Sequence, residues 1–117
     1  MGGRYGCAMI IVQGFLKVQP EDFARYARRI VLHVAHVQML DGCLQYSLSE
    51  DPGVPGLIWV SERWRDKAAQ AAHTAGDHMG EFNQFMKHMP LIAAHLACYE
   101  VVGEGTWLMR VGSDRVS

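Results

Sequence analysis

Two short runs, Ile10-Ile11-Val12 and Leu57-Ile58-Trp59-Val60, are apolar at every consecutive position. Side chains alternate between the two faces of a strand, so strands built from these runs are apolar on both sides. Any sheet that contains them must be covered twice. The segments between them supply cover for one side only. Residues 9–18 are short, β-branched and apolar and read as a first strand. Pro20 then stands at a first helical position, with Glu21 and Asp22 near the positive end of the helix dipole. Phe23, Ala27, Ile30, Val34 and Val37 recur at steps of three and four and mark the buried face of a helix near 21–41. Arg25, Arg29 and His36 fall on its opposite side, and Gly42 suits its C-cap.

A second strand follows, in which Leu44, Tyr46 and Leu48 alternate against Cys43, Gln45 and Ser47. Asp51-Pro52-Gly53 and Pro55-Gly56 are turn chemistry, so the third strand, 57–64, is expected to return antiparallel. Asp66 can cap a second helix through Ala75. Gly76 interrupts that helix, and Asp77 can cap a continuation carrying Phe82, Phe85, Met86 and Met89. Pro90 ends the run, and residues 94–102 form the last strand. The order βαββαβ predicts an α+β, ferredoxin-like antiparallel sheet with both helices on one face. The uncovered face would be a larger apolar patch than a monomer tolerates, and this predicts a homodimer. The expected divisions are a leader at 1–8, one domain at 9–102 and a tail at 103–117. Trp107 offers that tail an apolar contact for the dimer partner; the other reading is a tail without fixed contacts.

At 117 residues the chain has room for one such domain. Its formal net charge is -1 with no basic block, which argues against nucleic acid as a partner. Arg25, Arg28 and Arg29 read as a solvated helix face. The 3 cysteines form no CxxC pair, and reduced thiols in a cytoplasmic protein are the simplest reading. No run has the length of a membrane span or the form of a secretory signal, so no membrane partner is expected. No GxGxxG, P-loop or HExxH is present, which leaves dinucleotide and hydrolytic zinc chemistry without an anchor.

The most informative stretch is Glu62-Arg63-Trp64-Arg65-Asp66, then Ala68-Ala69, His73 and Asp77-His78-Met79. A Glu-x-Trp at a strand end, a helix opening on Asp, a His seven residues later and a second His near a helix break resemble the antibiotic biosynthesis monooxygenase (ABM) family. Gly42-Cys43-Leu44-Gln45-Tyr46-Ser47-Leu48 followed by Asp51-Pro52 looks like that family's second strand. The resemblance covers about residues 9–102. It implies a dimeric α+β barrel in which two sheets pack back to back. It also implies oxidation of quinols, anthrones or other electron-rich phenols by molecular oxygen without flavin, metal or haem, so no cofactor is expected. Relatives of similar fold bind or degrade haem, and others have no assigned reaction.

Cofactor-free oxygenation requires the substrate to give an electron to oxygen, and a phenolate does so far better than a phenol. A general base is therefore needed, and histidine is the side chain that titrates nearest neutrality. His73 is the first candidate, one helical turn from Ala69 among alanines that leave space beside it; the alternative is a histidine capping a helix end. Glu62 either holds His73 in one tautomer or bonds backbone groups structurally. Trp64 shares a strand face with Glu62 and is either a flat wall for an aromatic ring or core. His78, Phe82, Tyr46 and Gln13 are the further candidates for substrate contact, with Tyr46 and Gln13 expected on neighbouring strands. Packing, interface or surface positions are the other readings of these four. His33 and His36 are three apart on the first helix but lack a third ligand, so no metal site is expected. Two other functions stay open. One is a non-catalytic dimeric ligand-binding or stress-related module. The other is a haem-binding relative, against which Gln13 stands where haem-degrading relatives carry Asn.

Overall fold

The structure is a computed structural model and describes residues 8–106. Its strands are β1 (Ile10–Lys17), β2 (Cys43–Glu50), β3 (Leu57–Trp64) and β4 (Ala93–Glu100). They form one antiparallel sheet in the order β2-β3-β1-β4. Helices α1 (Pro20–Arg25) and α2 (Ala27–Gln38) connect β1 to β2. Helices α3 (Lys67–Ala75) and α4 (Asp77–Phe85) and a 3-10 turn (Met86–His88) connect β3 to β4. The expected α+β, ferredoxin-like order is present. Trp107, with the rest of the tail beyond 106 and the leader before residue 8, lies outside the described residues.

One face of the sheet carries Ile10 and Val12 of β1, Tyr46 of β2, and Ile58, Val60, Glu62 and Trp64 of β3, all buried. Ile30 and Val37 of α2, Ala69 of α3 and Phe82 of α4 close on that face. The expected stripe on the first helix is thus buried at Ile30 and Val37, with Phe23, Ala27 and Val34 half-buried. The opposite sheet face has no cover within the described chain. Leu44, Trp59 and Tyr99 are 51%, 46% and 53% exposed there, which would be unusual in a strand interior that faced a core.

Four local expectations are corrected. The single helix near 21–41 is two, because Tyr26 leaves helical geometry (φ -105, ψ 16), and α2 already ends at Gln38. That break seats the Tyr26 ring edge-on against Phe85, with centroids 5.3 Å apart. A bulge between Cys43 and Gln45 resets the alternation of β2, so Cys43 opposes Trp64, Tyr46 opposes Glu62, and Leu44 turns outward. Gly76, not Asp77, is the N-cap of α4, whereas Asp66 caps α3 as expected by accepting from the Ala69 N–H at 2.9 Å. Arg25 and Arg28 are exposed as expected, whereas Arg29 is half-buried, with its guanidinium over the Phe82 and Phe85 rings at 5.5 and 5.2 Å. Among the described residues, no helix is long and apolar enough to cross a membrane.

Candidate active site

Between the sheet and the second helical connection lies a cavity of about 330 Å³. Val12, Leu16, Leu48 and Val60 of the sheet and Met79, Phe82 and Met86 of the helical layer give it apolar walls. Tyr46, Glu62 and His73 are its buried polar members. An apolar hollow with a few convergent polar groups is the usual form of a small-molecule site, and this volume lies at the low end of the range of about 300–1,000 Å³.

His73 reaches the cavity from α3 because it lies one turn beyond Ala69, on the face turned to the sheet. It is only 4% exposed. Its ring stacks on the Trp64 indole at 4.7 Å and meets the Tyr46 ring edge-on at 5.5 Å. Trp64 is held in turn by Glu62, whose Oε1 accepts from the indole N–H at 2.9 Å. Strand alternation explains that bond, since positions two apart share a face. Glu62 therefore orients Trp64 and does not hydrogen-bond His73, so neither role read from the sequence describes it. Trp64 is fully buried and packs with Ile10, Val12 and Ala69. It backs His73 instead of forming a wall of the cavity.

The hydrogen-bond partner of His73 is His78. Nδ1 of His73 and Nε2 of His78 are 2.9 Å apart. Gly76 makes this approach possible: a Cβ there would sit 2.6 Å from Cε1 and 2.7 Å from Nδ1 of His78. His78 lies behind His73 and borders surface clefts, not the cavity expected of a substrate contact. Gln13 is also corrected. It is exposed on the outer face of β1, opposite to Val12, and β3 separates β1 from β2, so Gln13 and Tyr46 are on neither neighbouring strands nor a shared face. Tyr46 and Phe82 do line the cavity.

Sequence reasoning missed His33. It is 2% exposed, its Nε2 lies 3.1 Å from the Tyr46 hydroxyl, and its ring stacks on Phe82 at 3.7 Å. The signal was present, because position 33 follows Ile30 by three and precedes Val37 by four, on the buried stripe. His36, one turn along on the exposed side, has its ring 5.0 Å from that of His78.

Burial sets the electrostatics of this cluster. It lowers His73 to about 4, with the charge of His78 adding to the effect. His33 is also lowered to about 4, by burial first and then by His73 and Arg29. His78 is shifted down by burial and by His36, with Asp77 and Glu81 opposing. Burial pushes Glu62 up, partly countered by the indole N–H, and drives the Tyr46 phenol above its ordinary range. At neutral pH His73 and His33 are therefore uncharged. An uncharged imidazole on the wall of an apolar cavity can accept a proton from a bound acid.

A four-stranded antiparallel sheet roofed by helices, with a largely apolar cavity and a buried histidine between the layers, defines a small ferredoxin-like protein. The family model described as "Antibiotic biosynthesis monooxygenase" matches residues 9–84, and the chain belongs to that family. It is 31% identical over 74 residues to "Putative monooxygenase YcnE" of Bacillus subtilis (strain 168), spanning 63% of this chain and 78% of that protein. A crystal structure of a putative antibiotic biosynthesis monooxygenase from Deinococcus radiodurans superposes with a TM-score of 0.77 at 28% identity, over 86% of this chain and 99% of that one. Its counterpart from Caulobacter crescentus CB15 gives 0.75 at 25% identity, over 86% and 96%.

Proposed function

We propose that this chain is a monooxygenase that oxidises a quinol, anthrone or other electron-rich phenol with molecular oxygen, with His73 as the general base. The observation that carries this reading is an uncharged, buried His73 on the wall of a largely apolar cavity, beside Tyr46 and Glu62. The phenol lies in the cavity between the sheet and Phe82, and His73 Nε2 takes its proton. The phenolate passes one electron to dioxygen, giving a phenoxyl radical and superoxide. The two combine at a ring carbon that carries hydrogen, forming a C–O bond. The peroxide anion takes back the phenol's proton on its distal oxygen; loss of the ring hydrogen as a proton then breaks the O–O bond, expels hydroxide that takes up that proton as water, and leaves a second carbonyl. Phenol and dioxygen thus become quinone and water, and the chemistry draws no electrons from a further reductant.

The active form in this proposal is a homodimer joined through the uncovered sheet face. Its half-exposed Leu44, Trp59 and Tyr99 support that assembly, as does Arg63 Nε, which is buried without a partner among the described residues.

The test is oxygen uptake by the purified protein with a panel of naphthols, reduced naphthoquinols and anthrones. Uptake is expected above the autoxidation rate and should fall by about 10²-fold or more in His73→Gln, as for loss of a general base. Full turnover in a folded His73→Gln protein would remove His73 from the reaction. No uptake with any of the panel, from a folded wild-type protein, would favour a binding module instead.

A further inference from the structure

We propose that His78 is the proton-transfer partner of His73, carrying the substrate's proton out of the cavity to the surface cleft beside His36 and returning one later in the turnover. The inference rests on the reading of His73 as base and adds a path that the base alone does not provide. Three observations carry it. The two imidazoles share a 2.9 Å bond, Nδ1 of His73 to Nε2 of His78. His73 is buried and lines the cavity, whereas His78 is half-buried, lies outside the cavity lining and borders two surface clefts, sharing one of them with His73 and the other with His36. Gly76 lacks the one atom that would push the His78 ring off this line.

The step balances without a net proton. The phenol O–H breaks and its proton goes to His73 Nε2, while the proton on His73 Nδ1 passes to His78 Nε2. His78 is then an imidazolium and releases its Nδ1 proton to solvent. His73 stays uncharged throughout and only changes tautomer. When the peroxide anion forms, the same path runs backwards and supplies the proton to its distal oxygen. Such a store matters because a phenol titrates near ~10, while His73 is held at about 4. Proton transfer to His73 alone is therefore disfavoured about a millionfold. Moving the charge to a half-exposed ring keeps the phenolate available for oxygen. The groups that face the pair are Arg29, His33 and His36 of α2, Tyr46 of β2, Glu62 of β3, and Asp77 and Glu81 of α4. Burial and His36 disfavour a cation on His78, and Asp77 and Glu81 partly offset them.

The experiment compares oxygen uptake in wild type, His78→Gln, Gly76→Ala and His73→Gln, with and without added imidazole, using the panel above and checking each fold by thermal unfolding. In His78→Gln, kcat is expected to fall about tenfold or more with KM unchanged, and imidazole in the buffer should restore much of it. Gly76→Ala keeps both histidines but displaces the His78 ring, and should show the same fall. Wild-type kcat in His78→Gln, or a loss that imidazole does not recover, overturns the relay. If His73→Gln is inactive while both other variants are not impaired, the base stands and only the relay falls. If His73→Gln is fully active, or the wild type takes up no oxygen, the base reading fails and the relay with it.

Discussion

His73 and His33 show how burial, reinforced by neighbouring charge, changes what a residue does. Both are held near 4 in the folded chain, against an ordinary histidine value of 6.5. The unfolded chain therefore binds more protons than the folded one between those values, and stability must decline as pH falls from about 6.5 toward 4. Above 6.5 both states carry neutral rings and this contribution is flat. Each shift corresponds to an upper limit of about 3 kcal/mol, and the two are coupled, so the combined loss is a few kcal/mol. Urea unfolding at several pH values should show that decline, and the double variant His33→Phe with His73→Phe should flatten it. A slope unchanged in the double variant would place the acid sensitivity elsewhere. The spacing of the sequence marked His73, but not its partner. Histidine pairs form across two helices whose relative placement depends on the Gly76 break, and no local pattern encodes that distance.

At the scale of elements, the junctions decide where the site residues point. Gly42 ends the first helical connection with φ +82, the left-handed region that favours glycine, and its missing Cβ leaves room for Ala69 of α3. A Cβ there would come within 2.5 Å of the Ala69 Cβ. Gly42→Ala combines a strained backbone with that overlap and should cost about 1–3 kcal/mol. A lower urea midpoint at unchanged slope would show it, and an unchanged midpoint would mean that α3 moves away freely. Because α3 carries His73, the same substitution should also lower turnover. The C-cap expected at Gly42 falls instead on Met39, because α2 ends at Gln38, and Gly42 turns the chain into β2. The bulge in β2 was not legible, because Leu44 fits the alternation as well as Cys43 does. Only pairing with β3 shows which of them faces Trp64. The break at Tyr26 was hidden for a similar reason. The residue is compatible with a helix, and its contact with Phe85 comes from a distant part of the chain.

For the whole molecule, the decisive feature is the sheet face that the helices leave bare. Trp59 stands on it with its ring edge against Phe15 and its indole N–H on Asp51, and it remains 46% exposed. If this face joins two copies, the wild type should sediment at twice the chain mass, and Trp59→Lys should shift it to the monomer or weaken the dimer at least tenfold. A wild-type protein that sediments as a monomer at micromolar concentration would remove the dimer from the proposal.

The sequence by itself determined the order of elements, the two-sided apolar strands and the positions of His73, Glu62 and Trp64 on inward faces. Each of these follows from periodicities of two or 3.6 residues, which are local properties of the backbone. Only the tertiary structure decided that His78 bonds His73, that His33 joins the cluster, that Trp64 backs the base and that Gln13 faces away. Those outcomes depend on how far apart packed layers sit and on which strand lies between two others. Distances of that kind are set by the filling of the core as a whole, and no single segment of the chain carries them.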